Sequence, residues 1–185
     1  GAAPYQNWNE RIFAECYRPN AELGNFERIS FNIGPTLHSW MRSYNPETCR
    51  LIVTQDRANV ARHGVGNAMA QVYNHTILPL ATRQDKVTQV AWGIADFVES
   101  FGRRPQGMWL PETAVDIETL EVLAEQGIRF TILAPRQAAR VRQMGSPEWQ
   151  DVSGERVDTT IPYSQTLPSG RNIAVYFYDG PIAKA

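Results

Sequence analysis

The stretch Gly107-Met108-Trp109-Leu110-Pro111-Glu112-Thr113-Ala114 carries one carboxylate at a point where proteins often place chemistry. A short apolar run stops at a proline, and the pattern predicts that a helix follows. Enzymes built from repeated strand-helix units keep their reacting groups at the C-terminal ends of strands. Pro111 has no backbone donor and suits a first helical turn. A carboxylate in that turn is held ionised by the positive helix end, which is what a nucleophilic carboxylate requires. The same residues also make an ordinary helix start, with Glu112 serving only the helix.

Other side chains carry paired readings. Trp109 offers a flat apolar face to a sugar, or a buried ring to a barrel interior. Asp179 follows the apolar run 172–178 and stands before Gly180. It reads as a turn aspartate, or as a second carboxylate facing Glu112. Retaining glycosidases need two carboxyls roughly 5–5.5 Å apart. Asp116 lies on the Glu112 face of the expected helix as a dipole partner, and Glu118, Glu121 and Glu125 form its solvated face. His75, in Tyr73-Asn74-His75-Thr76-Ile77-Leu78-Pro79-Leu80, sits where a loop histidine binds a substrate hydroxyl or holds its own loop. His38 and His63 read as structural. The three histidines show no His-x-x-x-His spacing and no Asp-Asp partner, so no metal site is expected. No Gly-x-Ser-x-Gly elbow, phosphate-binding glycine loop or dinucleotide fingerprint occurs, and no cofactor is expected.

Composition bounds the classes. The 185 residues suit one domain with a real core. Lys plus Arg is 18 and Asp plus Glu is 19, a net charge of -1. That balance gives no footprint for nucleic acid. No apolar run approaches the length of a membrane span, and no signal peptide pattern is visible. Cys16 and Cys49 are far apart with no Cys-x-x-Cys spacing. They read as free thiols of a reducing compartment, hence a cytoplasmic protein, with a disulfide as the alternative.

The elements that must position these groups follow from periodicity. Trp8, Ile12, Phe13 and Cys16 predict a helix ended by Pro19. Phe26 to Ile33 reads as a strand, broken by Gly34-Pro35. Leu37, Trp40, Met41 and Tyr44 mark a helix, and Pro46-Glu47 opens another toward Gly64. Residues 68–73 read as a strand and 74–80 as a loop. Val87 to Phe101 keep the helical period most closely. Residues 107–110 read as a strand, 111–126 as a helix ended by Gly127, and 128–133 as a strand. Pro135 starts a short basic helix to about Gln143, and 144–154 is a loop. Residues 156–163 and 171–178 pair around Pro168-Ser169-Gly170. The alternation of strand and helix predicts an α/β fold with parallel strands and outer helices. A closed eight-stranded barrel takes ~250 residues, so this chain is expected to be part of a larger barrel.

Several of these stretches together resemble glycoside hydrolase family 57. Phe31-Asn32-Ile33-Gly34-Pro35-Thr36-Leu37 is similar to an early strand and helix start of that family. Tyr73 to Leu80 resembles its Tyr-His-Pro-Ile-Leu-Pro-Leu segment. Trp92-Gly93, then Phe101-Gly102-Arg103-Arg104-Pro105-Gln106 running into Gly107 to Glu112, resembles the region of its nucleophile. Gly127-Ile128-Arg129-Phe130-Thr131-Ile132-Leu133 continues the likeness, which covers roughly residues 26–140.

The resemblance implies an incomplete section of a (β/α)7 barrel, a single partial domain over residues 1–185, truncated at both ends. It implies a retaining α-glucan hydrolase or glucanotransferase, with an oligo- or polysaccharide as partner. Glu112 maps to the covalent nucleophile, Trp109 to the donor sugar subsite and His75 to a site-lining residue. Asp179 is carried as a further substrate-binding candidate. Three departures stand out. The early His-Gln-Pro motif is absent, and no motif like that of the acid/base aspartate occurs before Ala185, Asp179-Gly180 being followed by Pro181. The glutamate usual ahead of the histidine is also missing, with Asn67 or Gln71 as the nearest substitutes. The fragment alone is therefore expected to be inactive. The alternatives are a non-catalytic carbohydrate-binding or scaffolding barrel and, for a related barrel, a polysaccharide deacetylase.

Overall fold

The computed structural model describes residues 1–184. They form two compact units, one of residues 1–76 with 88–105 and one of residues 77–87 with 106–184. No helix among the described residues is long and apolar enough to cross a membrane.

The first unit contains α1 (Trp8–Ile12), α2 (Arg18–Glu22), β1 (Phe31–Asn32), α3 (Pro35–Tyr44), α4 (Pro46–His63), β2 (Ala68–Gln71) and most of α5 (Arg83–Phe101). β1 and β2 are parallel, with Phe31 opposite Ala68. All of β2 is buried. α4 starts and stops as its sequence dictates. The Asn45 side chain accepts from Thr48 N, and Gly64 closes the helix at a φ of 75°.

Pro19 does not end the first helix. A π turn at Phe13–Tyr17 joins α1 to α2, and Arg18 N–H bonds the Phe13 carbonyl. A widened turn ahead of a proline relieves the clash of its ring with the preceding turn, and the helix continues to Glu22. The strand expected over 26–33 shrinks to β1. A 3₁₀ turn takes Asn25–Glu27 instead. Side chains there satisfy backbone groups that a strand would have paired. Gln55 Oε1 accepts from Phe26 N at 3.1 Å, Asn67 Nδ2 donates to Phe26 O at 3.2 Å, and Asn59 Nδ2 donates to Glu27 O at 3.1 Å.

Two contacts fix β2 beneath its helices. Asp56 of α4 is fully buried and accepts two hydrogen bonds from Arg103, at 2.8 and 2.9 Å, and one from Ala68 N at 2.8 Å. Gly93 lets α5 lie directly on the strand, since a Cβ there would collide with the Gln71 carbonyl oxygen.

The second unit contains β3 (Met108–Trp109), α6 (Ile117–Glu125), β4 (Phe130–Leu133), β5 (Arg140–Val141), β6 (Gln150–Asp151), β7 (Tyr163–Thr166), β8 (Asn172–Phe177) and α7 (Gly180–Lys184). β4 and β8 are parallel, with Phe130 opposite Ala174 and Leu133 opposite Phe177. Beside β3, Gly107 bridges Phe130 in parallel, and Thr131 Oγ1 donates to Met108 O at 2.9 Å. Gly107 has no room for a side chain, because a Cβ would meet the Phe130 ring. Parallel pairs with helices between them are the α/β arrangement that the sequence predicts.

β7 pairs with β8 around the expected turn, antiparallel, with Gly170 at a φ of 82°. The outer strand begins at Tyr163 rather than at 156. The Asp158 carboxylate accepts from Thr160 N at 2.9 Å and from Thr160 Oγ1 at 2.6 Å, a local polar turn that competes with strand pairing. The expected basic helix to Gln143 is a single 3₁₀ turn, Pro135–Gln137, after which β5 and β6 pair. Arg140 and Arg142 approach the Trp149 ring to 5.1 and 4.9 Å, and these cation–π contacts favour the hairpin over a loop.

Candidate active site

Glu112 leaves the end of β3 on a 3₁₀ turn, Pro111–Thr113, not on a helix. The helix expected from Pro111 begins only at Ile117, and Asp116 is its N-cap, accepting from Thr119 N at 2.7 Å. The helix end expected at Glu112 therefore lies at Asp116 instead. Competition explains the shift. Asp116 outranks Pro111 as a start, because it satisfies an orphan helix donor that a proline can only tolerate.

The turn is conformationally unusual. Glu112 has φ 55° and ψ 17°, and Thr113 has φ 53°. Left-handed backbone is uncommon outside glycine and an outlier for a β-branched residue such as threonine. Each such residue costs on the order of 1–3 kcal/mol and persists only where its surroundings over-determine it. Thr113 N donates to Leu110 O and Ala114 N to Pro111 O, both at 3.0 Å. Thr113 Oγ1 donates to the Glu112 carbonyl at 2.6 Å. Gln137 Nε2 donates to the Thr113 carbonyl at 2.9 Å.

Glu112 opens onto a cavity of about 550 Å³ whose lining includes Trp109, Thr113, Arg136 and Tyr178. Trp109 is half-buried and the Arg136 side chain is exposed. Arg136 and Tyr178 escape a sequence reading that looks for carboxylates and histidines. The overlooked sign was positional. Both residues follow the C-terminal ends of parallel strands, β4 and β8, as Glu112 follows β3. The cavity thus combines a carboxylate, a guanidinium and two aromatic rings, a set suited to a polyhydroxylated ring with stacking and hydrogen-bonding demands.

Asp179 lies between two cavity-lining residues, Tyr178 and Gly180. Its Oδ1 accepts from Ile182 N at 2.9 Å, so its carboxylate works at the start of α7. His75 belongs to the first unit and follows β2 with a φ of 53°. Its Nδ1 lies 3.0 Å from Gln71 Nε2, and Gln71 Oε1 accepts from Asn32 Nδ2 at 2.6 Å. Of the two residues considered as substitutes for a glutamate there, Gln71 adjoins His75, whereas Asn67 serves the Phe26 carbonyl. His63 is exposed at the end of α4. His38 is buried, its Nε2 has no partner, and burial together with Arg42 pushes its pKa down to about 4.

The acidic residues of α6 are not simply a solvated face. Lys86 is buried and its Nζ lies 2.8 Å from both Asp116 Oδ2 and Glu118 Oε2. Glu121 accepts from Ser169 N at 2.8 Å and from its Oγ at 2.6 Å. Glu125 pairs with Arg83 at 2.7 Å. Among the described residues no group of three or more His, Cys, Asp or Glu side chains could hold a metal ion.

Comparison with known proteins gives this arrangement a family. Alpha-amylase 1 of Dictyoglomus thermophilum is 26% identical over 131 residues, 67% of this chain and 18% of that protein. The solved 4-alpha-glucanotransferase from Thermococcus litoralis superposes with a TM-score of 0.71 at 19% identity, covering 95% of this chain and 26% of that one. An exo-type maltose-forming amylase from Pyrococcus sp. ST04 gives 0.70 at 15% identity, covering 98% and 28%. At such identities the structural likeness speaks for the fold, and the chain spans about a fifth to a quarter of these relatives. The sequence pattern of glycosyl hydrolase family 57 matches residues 3–183, and the chain belongs to that family.

Proposed function

We propose that this chain carries the nucleophile side of a retaining α-glucan hydrolase or glucanotransferase, with Glu112 as the nucleophile. The observation that carries the reading is the placement of Glu112 at the end of β3, in a left-handed turn, opening onto a cavity of about 550 Å³ beside Trp109 and Tyr178. Alpha-amylase and glucanotransferase names among the relatives support an α-glucan as the substrate class.

In this mechanism the Glu112 carboxylate attacks the anomeric carbon and the leaving oxygen takes a proton from a second carboxylic acid. The glycosyl–enzyme then passes its sugar to water or to an acceptor hydroxyl, and the second group accepts a proton in return. Trp109, His75 and Asp179 are the substrate-binding residues of this reading. The second carboxyl is assigned to a part of the protein outside residues 1–185, in keeping with the fraction of its relatives that the chain spans. The free thiols of Cys16 and Cys49 support a cytoplasmic setting.

The test is Glu112→Gln in the longest natural form of the protein. Loss of turnover with maltooligosaccharide binding retained supports the nucleophile. Unchanged binding and no turnover in either form would instead identify a carbohydrate-binding or scaffolding barrel.

A further inference from the structure

We infer that Gln137 is the positioning residue that holds Glu112 in its reactive backbone conformation, an inference that rests on Glu112 being the nucleophile. Two consecutive residues of the turn, Glu112 and Thr113, adopt left-handed backbone, and neither is glycine. Such a conformation needs an external constraint. The hydrogen bonds from Thr113 N, Ala114 N and Thr113 Oγ1 all stay within residues 110–114. The Gln137 amide ties this turn to a second strand end.

That amide is used at both ends, and its orientation follows from its partners. Nε2 meets the Thr113 carbonyl at 2.9 Å, which can only accept. Oε1 meets Ala134 N at 2.8 Å, which can only donate. A flipped amide would face oxygen against oxygen and donor against donor. The Gln137 backbone is itself held, since its N–H donates to Ala134 O at 2.9 Å within a 3₁₀ turn that opens on buried Pro135. One side chain therefore couples the turn after β3 to the turn after β4. It grips the Thr113–Ala114 peptide, on the far side of Thr113 from Glu112, without lining the cavity. Arg136, one residue earlier on the same 3₁₀ turn, does line it. A single short turn thus supplies both a cavity wall and the brace.

The experiment compares Gln137→Met with Gln137→Glu in the full natural protein. Methionine keeps the length and loses both hydrogen bonds. Glutamate keeps an acceptor for Ala134 N but cannot donate to Thr113 O. Amide exchange at Thr113 and Ala114, the backbone φ of Glu112 in a crystal structure, and kcat and KM on maltooligosaccharides are measured for each. Both variants are expected to exchange faster at Thr113 and Ala114 with α6 amides unchanged. Their kcat is expected to fall about 10- to 100-fold, as for a displacement of about 1 Å, with KM changed little. Wild-type exchange in both variants, wild-type behaviour of Gln137→Glu, or altered exchange with kcat intact would each overturn the inference. If Glu112→Gln leaves turnover intact, the nucleophile reading fails by itself, and the exchange and φ measurements still decide whether Gln137 braces the turn.

Discussion

Lys86 Nζ lies 2.8 Å from Asp116 Oδ2, and the other oxygen of the same carboxylate caps α6 through Thr119 N. One aspartate thus neutralises a buried ammonium and starts a helix. Burial works against both charges, but the hydrogen bonds and the mutual charge prevail. The Lys86 pKa is raised and the Asp116 pKa is held below the usual carboxylate range. Asp116→Ala removes a helix cap, typically about 1 kcal/mol, and one charge-assisted hydrogen bond of about 1.5–3 kcal/mol. Urea unfolding should show a loss of about 2–4 kcal/mol. Because the folded pKa is lowered, this contribution is present above the ordinary aspartate pKa and fades as pH falls through the folded one. Asp116→Ala should accordingly flatten the acid limb of the stability profile.

His38 gives a second pH signature at a higher range. Its folded pKa is about 4, against 6.5 for an ordinary histidine. Between those values the unfolded chain binds a proton that the folded chain refuses. The stability tied to neutral His38 is full above pH 6.5 and is lost as pH falls toward 4. Linkage makes the loss about 2 kcal/mol between pH 7.5 and 5. His38→Leu should remove that part of the pH dependence, read as the difference between wild-type and variant urea midpoints at the two pH values. A variant whose slope with pH equals that of the wild type would contradict it.

The pair of buried Asp56 and half-buried Arg103 should be costly to halve. Removing one partner of a buried, bidentate pair typically costs about 3–5 kcal/mol, because the other charge is left uncompensated. Arg103→Met strands the fully buried Asp56 carboxylate with Ala68 N as its remaining partner. Denaturant unfolding should register a loss of at least about 3 kcal/mol.

Gly93 tests the close approach of α5 to β2. An added methyl group meets the Gln71 carbonyl, which is backbone and has no rotamer to change. Gly93→Ala would gain about 1 kcal/mol of helix propensity on an exposed helix. Here it should instead destabilise the protein by about 1–3 kcal/mol, as overpacking does. Thermal unfolding of that one variant gives the sign.

Much of this fold is legible in the residues themselves. Asn45, Pro46 and Gly64 mark α4 because caps are local chemistry, and the apolar stripe of α5 depends only on spacing. The misreadings share a cause, which is that a distant or less obvious partner outweighed the local signal. Gln55, Asn59 and Asn67 take the backbone groups around Phe26 and Glu27 out of a strand. A π turn carries the helix past Pro19. Asp116 moves the start of α6 and leaves Glu112 on a strained turn that no periodicity encodes. At the cavity, Glu112 and Trp109 stand out because charged and aromatic residues near strand ends attract notice. Arg136, Tyr178 and Gln137 do not, since their roles arise from which strand ends the sheet brings together.

The most direct measurement is to find where a sugar becomes attached. A slowly turned-over fluorinated α-glucosyl fluoride, incubated with the longest natural form and followed by peptide mass spectrometry, should add one fluoroglucosyl group to Glu112. Label on any other residue, or turnover of the probe by Glu112→Gln at the wild-type rate, would contradict the account.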